Sequence, residues 1–165
     1  GSAKNGAITV EVPPEAATNC ASPNGVLLGT ARDLLPAFPA RLAPGARWEE
    51  SATTTACRGG VPMTSVVTHR YRVRGPAGDE PGAVRVERRS SISLSGNGTQ
   101  AGQMVNTFGR GEGEGEFVVD VARGLVRSAR SQSTLELTFT TGGYSQRVTQ
   151  SAEQQLRRLD SPTAR

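Results

Sequence analysis

At 165 residues the chain has the length of one domain able to bury a true core. Its 20 glycines and 10 prolines, set against 4% aromatics, speak against a helical protein, and no apolar run approaches the roughly 18 residues a membrane helix needs. The net charge of +4 comes from 18 arginines and one lysine scattered along the chain, with no basic run interleaved with aromatics, so no nucleic-acid partner is expected.

Gly1-Ser2 looks like the scar of tag removal, and residues 1–6 are expected to be a disordered start. On that reading any signal peptide or lipid anchor lay upstream. A single β domain is expected over 7–160 and a frayed tail over 161–165. Residues 7–12 alternate Ile8, Val10 and Val12 with Thr9 and Glu11, the pattern of a strand. Pro13-Pro14 stops it, and 15–29 reads as loop.

Thr30 is placed to cap a short helix across 31–38, limited by Pro36 and Pro39. Leu34, Leu35, Phe38 and Leu42 would pack this segment onto a sheet. Pro44-Gly45 turns the chain into a strand over 47–55 that carries Trp48, and a second strand follows over 63–74. In that strand Val67, His69, Tyr71 and Val73 share one face, and Arg70, Arg72 and Arg74 the other. The strand over 83–94 sets Val84, Val86, Ile92 and Leu94 on one face. Gly96-Asn97-Gly98 then reads as a hairpin turn, which also accounts for the asparagine of the Asn97-Gly-Thr99 glycosylation pattern.

The next strand, 103–120, contains the most unusual stretch. Gly109, Gly111, Gly113 and Gly115 share a face with Phe117 and Val119, while Glu112, Glu114, Glu116 and Asp120 line the reverse. A bulge or break is expected near 109–111. Arg123-Gly124 and Gly142-Gly143 close two further hairpins, around strands over 125–141 and 144–156. The whole is an all-β, long-stranded, curved antiparallel meander, either a half-barrel or a small closed barrel.

Two stretches carry a resemblance. Residues 34–48, a Pro-rich entry ending Gly45-Ala-Arg-Trp48, and 111–124, a glycine-rich strand ending Phe117-Val-Val-Asp120 and Gly124, look like a pattern in uncharacterised exported bacterial proteins and lipoproteins. The resemblance implies an extracytoplasmic β protein of the periplasm or outer envelope and no established activity. In architecture alone the curved sheet also resembles periplasmic lipoprotein-carrier half-barrels, which does not license function.

The glycine ladder admits two readings. Trp48, Tyr71, Phe108 or the Leu34–Phe38 segment fills the space above it, or that space is a groove for an apolar ligand, lined by Gly109, Gly111, Gly113, Gly115, Phe117, Trp48, Tyr71 and Phe108. The run Gly111–Gly115 lacks the strand-to-helix turn of a phosphate loop. Glu112, Glu114 and Glu116 form a flat row better suited to cross-strand pairing with Arg85, Arg89 or Arg127 than to calcium. His69, the only histidine, would need Asp120 or Asp33 and a serine to build a hydrolytic triad, and no G-x-S-x-G elbow is present. Cys20 and Cys57 are an isolated pair and are expected to form a disulfide, leaving no zinc site. These readings converge on a non-enzymatic extracytoplasmic domain, without cofactor or metal, binding an apolar molecule or an envelope protein through its sheet. The alternative is a structural or assembly module of an envelope lipoprotein without a small ligand.

Overall fold

The computed structural model describes residues 2–4, 7–9, 34–58, 61–78 and 80–158. Six long strands form one open antiparallel sheet in simple chain order: β3 (Arg47–Arg58), β4 (Val61–Pro76), β5 (Ala83–Gln100), β6 (Gln103–Asp120), β7 (Leu125–Thr141) and β8 (Tyr144–Arg157). Two short strands, β1 (Ser2–Lys4) and β2 (Ala7–Thr9), pair separately. Ser2–Lys4 is thus paired where a disordered start was expected. Only the first part of the strand read over 7–12 falls within the described residues.

The sheet does not close into a barrel; β3 and β8 remain its two edges. The inward positions of β8 explain why. Gln146, Val148, Gln150 and Ala152 offer little apolar surface to draw β8 toward β3, and all are exposed. The short helix expected over 31–38 also shrinks. Leu34 is helical but Leu35–Phe38 are not, and residues 31–33 lie outside the described set. Pro36 and Pro39 remove two amide donors and bias the residues before them away from helix.

The strands are longer than expected, and one turn moves. Asn97-Gly98 is not a hairpin; β5 continues to Gln100, and Asn97 pairs with Asn106 on β6. The chain reverses at Ala101-Gly102, both with positive φ (49° and 78°), the signature of a tight primed turn. Gly96 and Gly98 serve close approach instead. A Cβ on Gly96 would stand 2.6 Å from the Pro62 carbonyl oxygen and 2.8 Å from Met63 Cγ. The expected break near 109–111 is absent too. The β5–β6 ladder runs unbroken, and the irregularity against β7 falls at Val118/Val119. The turns at Pro44-Gly45, Arg123-Gly124 and Gly142-Gly143 lie where the sequence puts them, with positive φ at Gly45, Gly124, Gly142 and Gly143.

One face of the sheet holds the core in two separate clusters. At the first, Leu34 and Leu42 come down on Tyr71, Val73, Val84, Val86, Phe117, Val119 and Ala129. Phe38 sits edge-on to three rings: Trp48 of β3 (6.2 Å), Tyr71 of β4 (6.4 Å) and Phe117 of β6 (5.8 Å). In a flat sheet β3 and β6 would lie about 14 Å apart, at ~4.8 Å per strand. One ring reaching both, together with the close approach of β4 to Gly96 and of β7 to Gly109 and Gly111 on the same side, fits a sheet curved around it, so this face is concave. The second cluster gathers Val61, Met63, Leu94, Val105 and Leu137, with Leu135 and Phe139 packed beside them.

Candidate functional site

Register places the concave-face residues in rows that cross the strands. The row through Phe117 is apolar: Val73, Val86, Phe117, Ala129 and Leu156. The next two rows are polar. One runs Trp48, Tyr71, Arg88, Gly115, Ser131, Gln154, and the other Glu50, His69, Ser90, Gly113, Ser133, Ala152. The fourth turns apolar again through Val67, Ile92, Gly111 and Leu135, all four half-buried. A polar belt therefore crosses the concave face between the two clusters, bordered by a partly open apolar row.

The belt is densely bonded. Arg88 is 2% exposed; its guanidinium lies over the Phe117 ring at 5.1 Å, and its Nη2 donates to Ser131 Oγ at 2.8 Å. A guanidinium packed on an aromatic face keeps favourable electrostatics where water is excluded. Trp48 stacks on Tyr71, ring centroids 4.7 Å apart and nearly parallel. Burial pushes the Glu50 carboxyl above the ordinary carboxylate range, opposed by a hydrogen bond from the Tyr71 hydroxyl and by the charge of Arg88. His69 Nδ1 and Ser90 Oγ are 2.8 Å apart. Trp48 Nε1 and Gln154 Oε1 are buried without a hydrogen-bond partner among the described residues.

The described aspartate considered as an orienter for His69 is not beside the His69–Ser90 pair. Asp120, the candidate orienter, lies at the far end of β6, where its carboxylate accepts from Arg127 Nη2 (2.8 Å) and from the Arg123 backbone amide (3.1 Å). Those bonds, the Arg127 one foremost, hold its carboxyl below the usual range. Asp33 lies outside the described residues.

The glycine ladder is occupied, by β7 at Gly109, Gly111 and Gly113 and by Phe117 and Arg88 at Gly115. A Cβ on Gly109 would meet Leu137 Cδ2 at 2.6 Å, and one on Gly111 would run into the Thr134 carbonyl and Leu135 Cα. At Gly113 the obstacles are the Gln132 carbonyl oxygen (3.0 Å) and Ser133 Cβ (3.3 Å). At Gly115 they are Phe117 and the Arg88 guanidinium, at 3.1 and 3.3 Å. Missing side chains let β7 fold inward over β6. Tyr71, Trp48 and Phe117 gather at the first cluster. Phe108, expected to line the same groove, is on the opposite face, 49% exposed under the Arg110 guanidinium (5.2 Å). Strand alternation puts it there, one residue out of phase with the glycines.

The convex face carries the acidic row. Glu116 approaches Arg85 at 3.5 Å, as expected. Glu114 stands opposite Arg89 in register, whereas Glu112 faces Ser91 and Thr134. Arg127, proposed as a partner for this row, instead joins Asp120 and Glu80. No group of three or more His, Cys, Asp or Glu able to hold a metal occurs among the described residues. Cys57 is half of a disulfide rather than a free thiol. Cys20, its expected partner, lies outside the described residues.

The belt was legible in part. Alternation from Val84 and Val86 puts Arg88 and Ser90 on the apolar face before Ile92 and Leu94 resume it. An arginine at such a position is the signal for a buried, partnered charge. Glu50 and Ser131 join it only through pairing across strands.

Comparison with protein-family models, with curated proteins and with solved structures returns no match. The class is defined by the fold itself: an all-β domain made of one open, six-stranded antiparallel sheet, with no helix among the described residues long and apolar enough to cross a membrane.

Proposed function

We propose that this domain is a non-enzymatic, extracytoplasmic binding module that takes an apolar, chain-like ligand across its concave face. The observation that carries the reading is the half-buried row Val67, Ile92 and Leu135, open between two closed clusters and bordered by the belt of Glu50, His69, Ser90 and Ser133. A ligand lying along that row would bury apolar surface worth about 25 cal/mol per Å². Its polar end would meet the Glu50 carboxylate, held by Tyr71 and Arg88, and the Ser90 hydroxyl, held by His69. An exported location follows the resemblance of residues 34–48 and 111–124 to envelope proteins and the oxidised state of Cys57.

A structural module without a small ligand is the second reading, favoured by β7 filling the space above Gly109 and Gly111. Titration with a fatty acid or an environment-sensitive hydrophobic dye separates the two. Saturable binding that Ile92→Thr and Leu135→Thr each weaken, with melting temperature nearly unchanged, supports the ligand reading. A folded protein that binds no such probe turns the assignment to the structural module.

A further inference from the structure

We infer that the free edge of β8 is self-complementary and joins two copies of this chain into one continuous sheet. The argument begins with the backbone. Arg158 N donates to Arg127 O at 2.8 Å, and the β7–β8 register runs without a shift from Ser128↔Arg157 to Thr141↔Tyr144. In an antiparallel ladder bonded and non-bonded pairs alternate. Even-numbered residues of β8 therefore spend their amides and carbonyls on β7. Odd-numbered ones, Ser145 through Arg157, turn theirs to the open edge, which no strand covers among the described residues.

A second β8 in antiparallel orientation would meet this row about a two-fold axis. Odd residues must then face odd residues, which leaves few registers. With the axis at Gln150, Arg147 stands opposite Glu153 of the second copy, and Glu153 opposite its Arg147. Moving the axis to residue 147 sets arginine against arginine, and moving it to 153 sets glutamate against glutamate. The intermediate registers bring no opposite charges face to face. On the concave side the Gln150 register also places Val148 opposite Ala152 and Tyr144 opposite Leu156.

That register accounts for what is otherwise unsatisfied on β8. Tyr144 is 82% exposed and Val148 39% exposed. Arg147 has no hydrogen-bond or ion-pair partner among the described residues. Glu153, held at 2.8 Å by Arg130 of its own chain, would sit between two arginines. Protected edges carry proline, a bulge or like charge. From Tyr144 to Arg157 there is no proline and no register shift, and the charges match under two-fold symmetry.

Sedimentation equilibrium over a concentration series, paired with amide exchange, tests this. A dimer is expected. Arg147→Glu and Glu153→Arg should each raise its dissociation constant about tenfold or more, since each reverses two symmetry-related pairs. The double variant should recover most of the loss, short of all because Arg130 stays beside position 153. Both sites are exposed, so the single variants keep the fold. Dimerisation should slow exchange at Arg147, Thr149, Ser151 and Glu153 and leave Val148, Gln150 and Ala152, already bonded to β7, unchanged. A monomer at every concentration overturns the inference, as does a dimer indifferent to both single variants or one the double variant fails to rescue.

Discussion

The two clusters on the concave face solve one problem by different means. A single sheet leaves its apolar face uncovered. At the first cluster a separate segment covers it: Leu34, Phe38 and Leu42 lie on the sheet, and Phe117 beneath them is 0% exposed. At the second, no segment among the described residues lies on top. The sheet covers itself, with β4 folding over Gly96 and Gly98 of β5 and β7 over Gly109, Gly111 and Gly113 of β6. The central strands thus carry glycine where the outer strands must approach and large side chains where the segment sits. Aromatics suit the covered end because a loop can shape itself to them. Absent side chains suit the self-covered end because strand spacing is fixed.

Substitutions can break this contrast. The largest effect is expected at the covered end. Phe117→Ala removes the ring that holds Phe38 and Arg88 together and should cost about 3–5 kcal/mol, read from chemical denaturation. A loss below 1 kcal/mol would mean that the segment does not depend on it.

Next comes the expected Cys20–Cys57 bridge, whose described half pairs with Pro62 beside the second cluster. Closing a loop of roughly forty residues is worth about 4 kcal/mol in the chain-entropy model. Reduction should therefore lower the melting temperature sharply. Two alkylated thiols in the unreduced protein's intact mass would show that the bridge is not there.

At the self-covered end, Gly111→Ala forces a methyl against the backbone of β7 and should cost about 1–3 kcal/mol. Gly98→Ala meets Val61 Cγ1 at 3.3 Å, Pro62 Cδ at 3.4 Å and Val61 Cα at 3.6 Å, all looser than the contacts at Gly111, and should cost less. Equal losses at the two glycines would contradict the account of self-covering.

The smallest effects are expected from pH, and two carboxylates oppose each other there. Asp120 titrates lower in the fold than in the unfolded chain, because Arg127 binds its charged form. Its stabilisation is present above the ordinary aspartate range and is lost as pH falls through the lowered value. Asp120→Asn should therefore lower the melting temperature at neutral pH and make little difference in strong acid. Glu50 titrates higher, because burial disfavours its charge. The charged form destabilises the fold at neutral pH, and that cost fades as pH falls through the raised value. Glu50→Gln should leave the protein as stable or slightly more so at neutral pH, and the gain should vanish on acidification. A neutral-pH loss at Glu50→Gln larger than that at Asp120→Asn would reverse the assignment.

Sequence alone determined the all-β class, the antiparallel meander and most strand positions, because period-two alternation and Gly-Gly or Pro-Gly turns are local signals. It marked the glycine ladder as the place where something must come close. It placed the wrong hairpin at Asn97-Gly98, because a glycine required for a turn and one required for close packing look alike without neighbours. The belt stayed half hidden for a related reason. Arg88 broke an apolar pattern visibly, but Glu50, Tyr71 and Ser131 are 38, 17 and 43 positions away from it along the chain and meet it only through register. Tertiary structure decided that the sheet stays open, that β7 fills most of the ladder and Phe117 its last position, and that β8 ends the sheet with half its backbone unspent among the described residues. Each of these depends on which strands lie side by side and how far they bend, and no window of one strand contains that information.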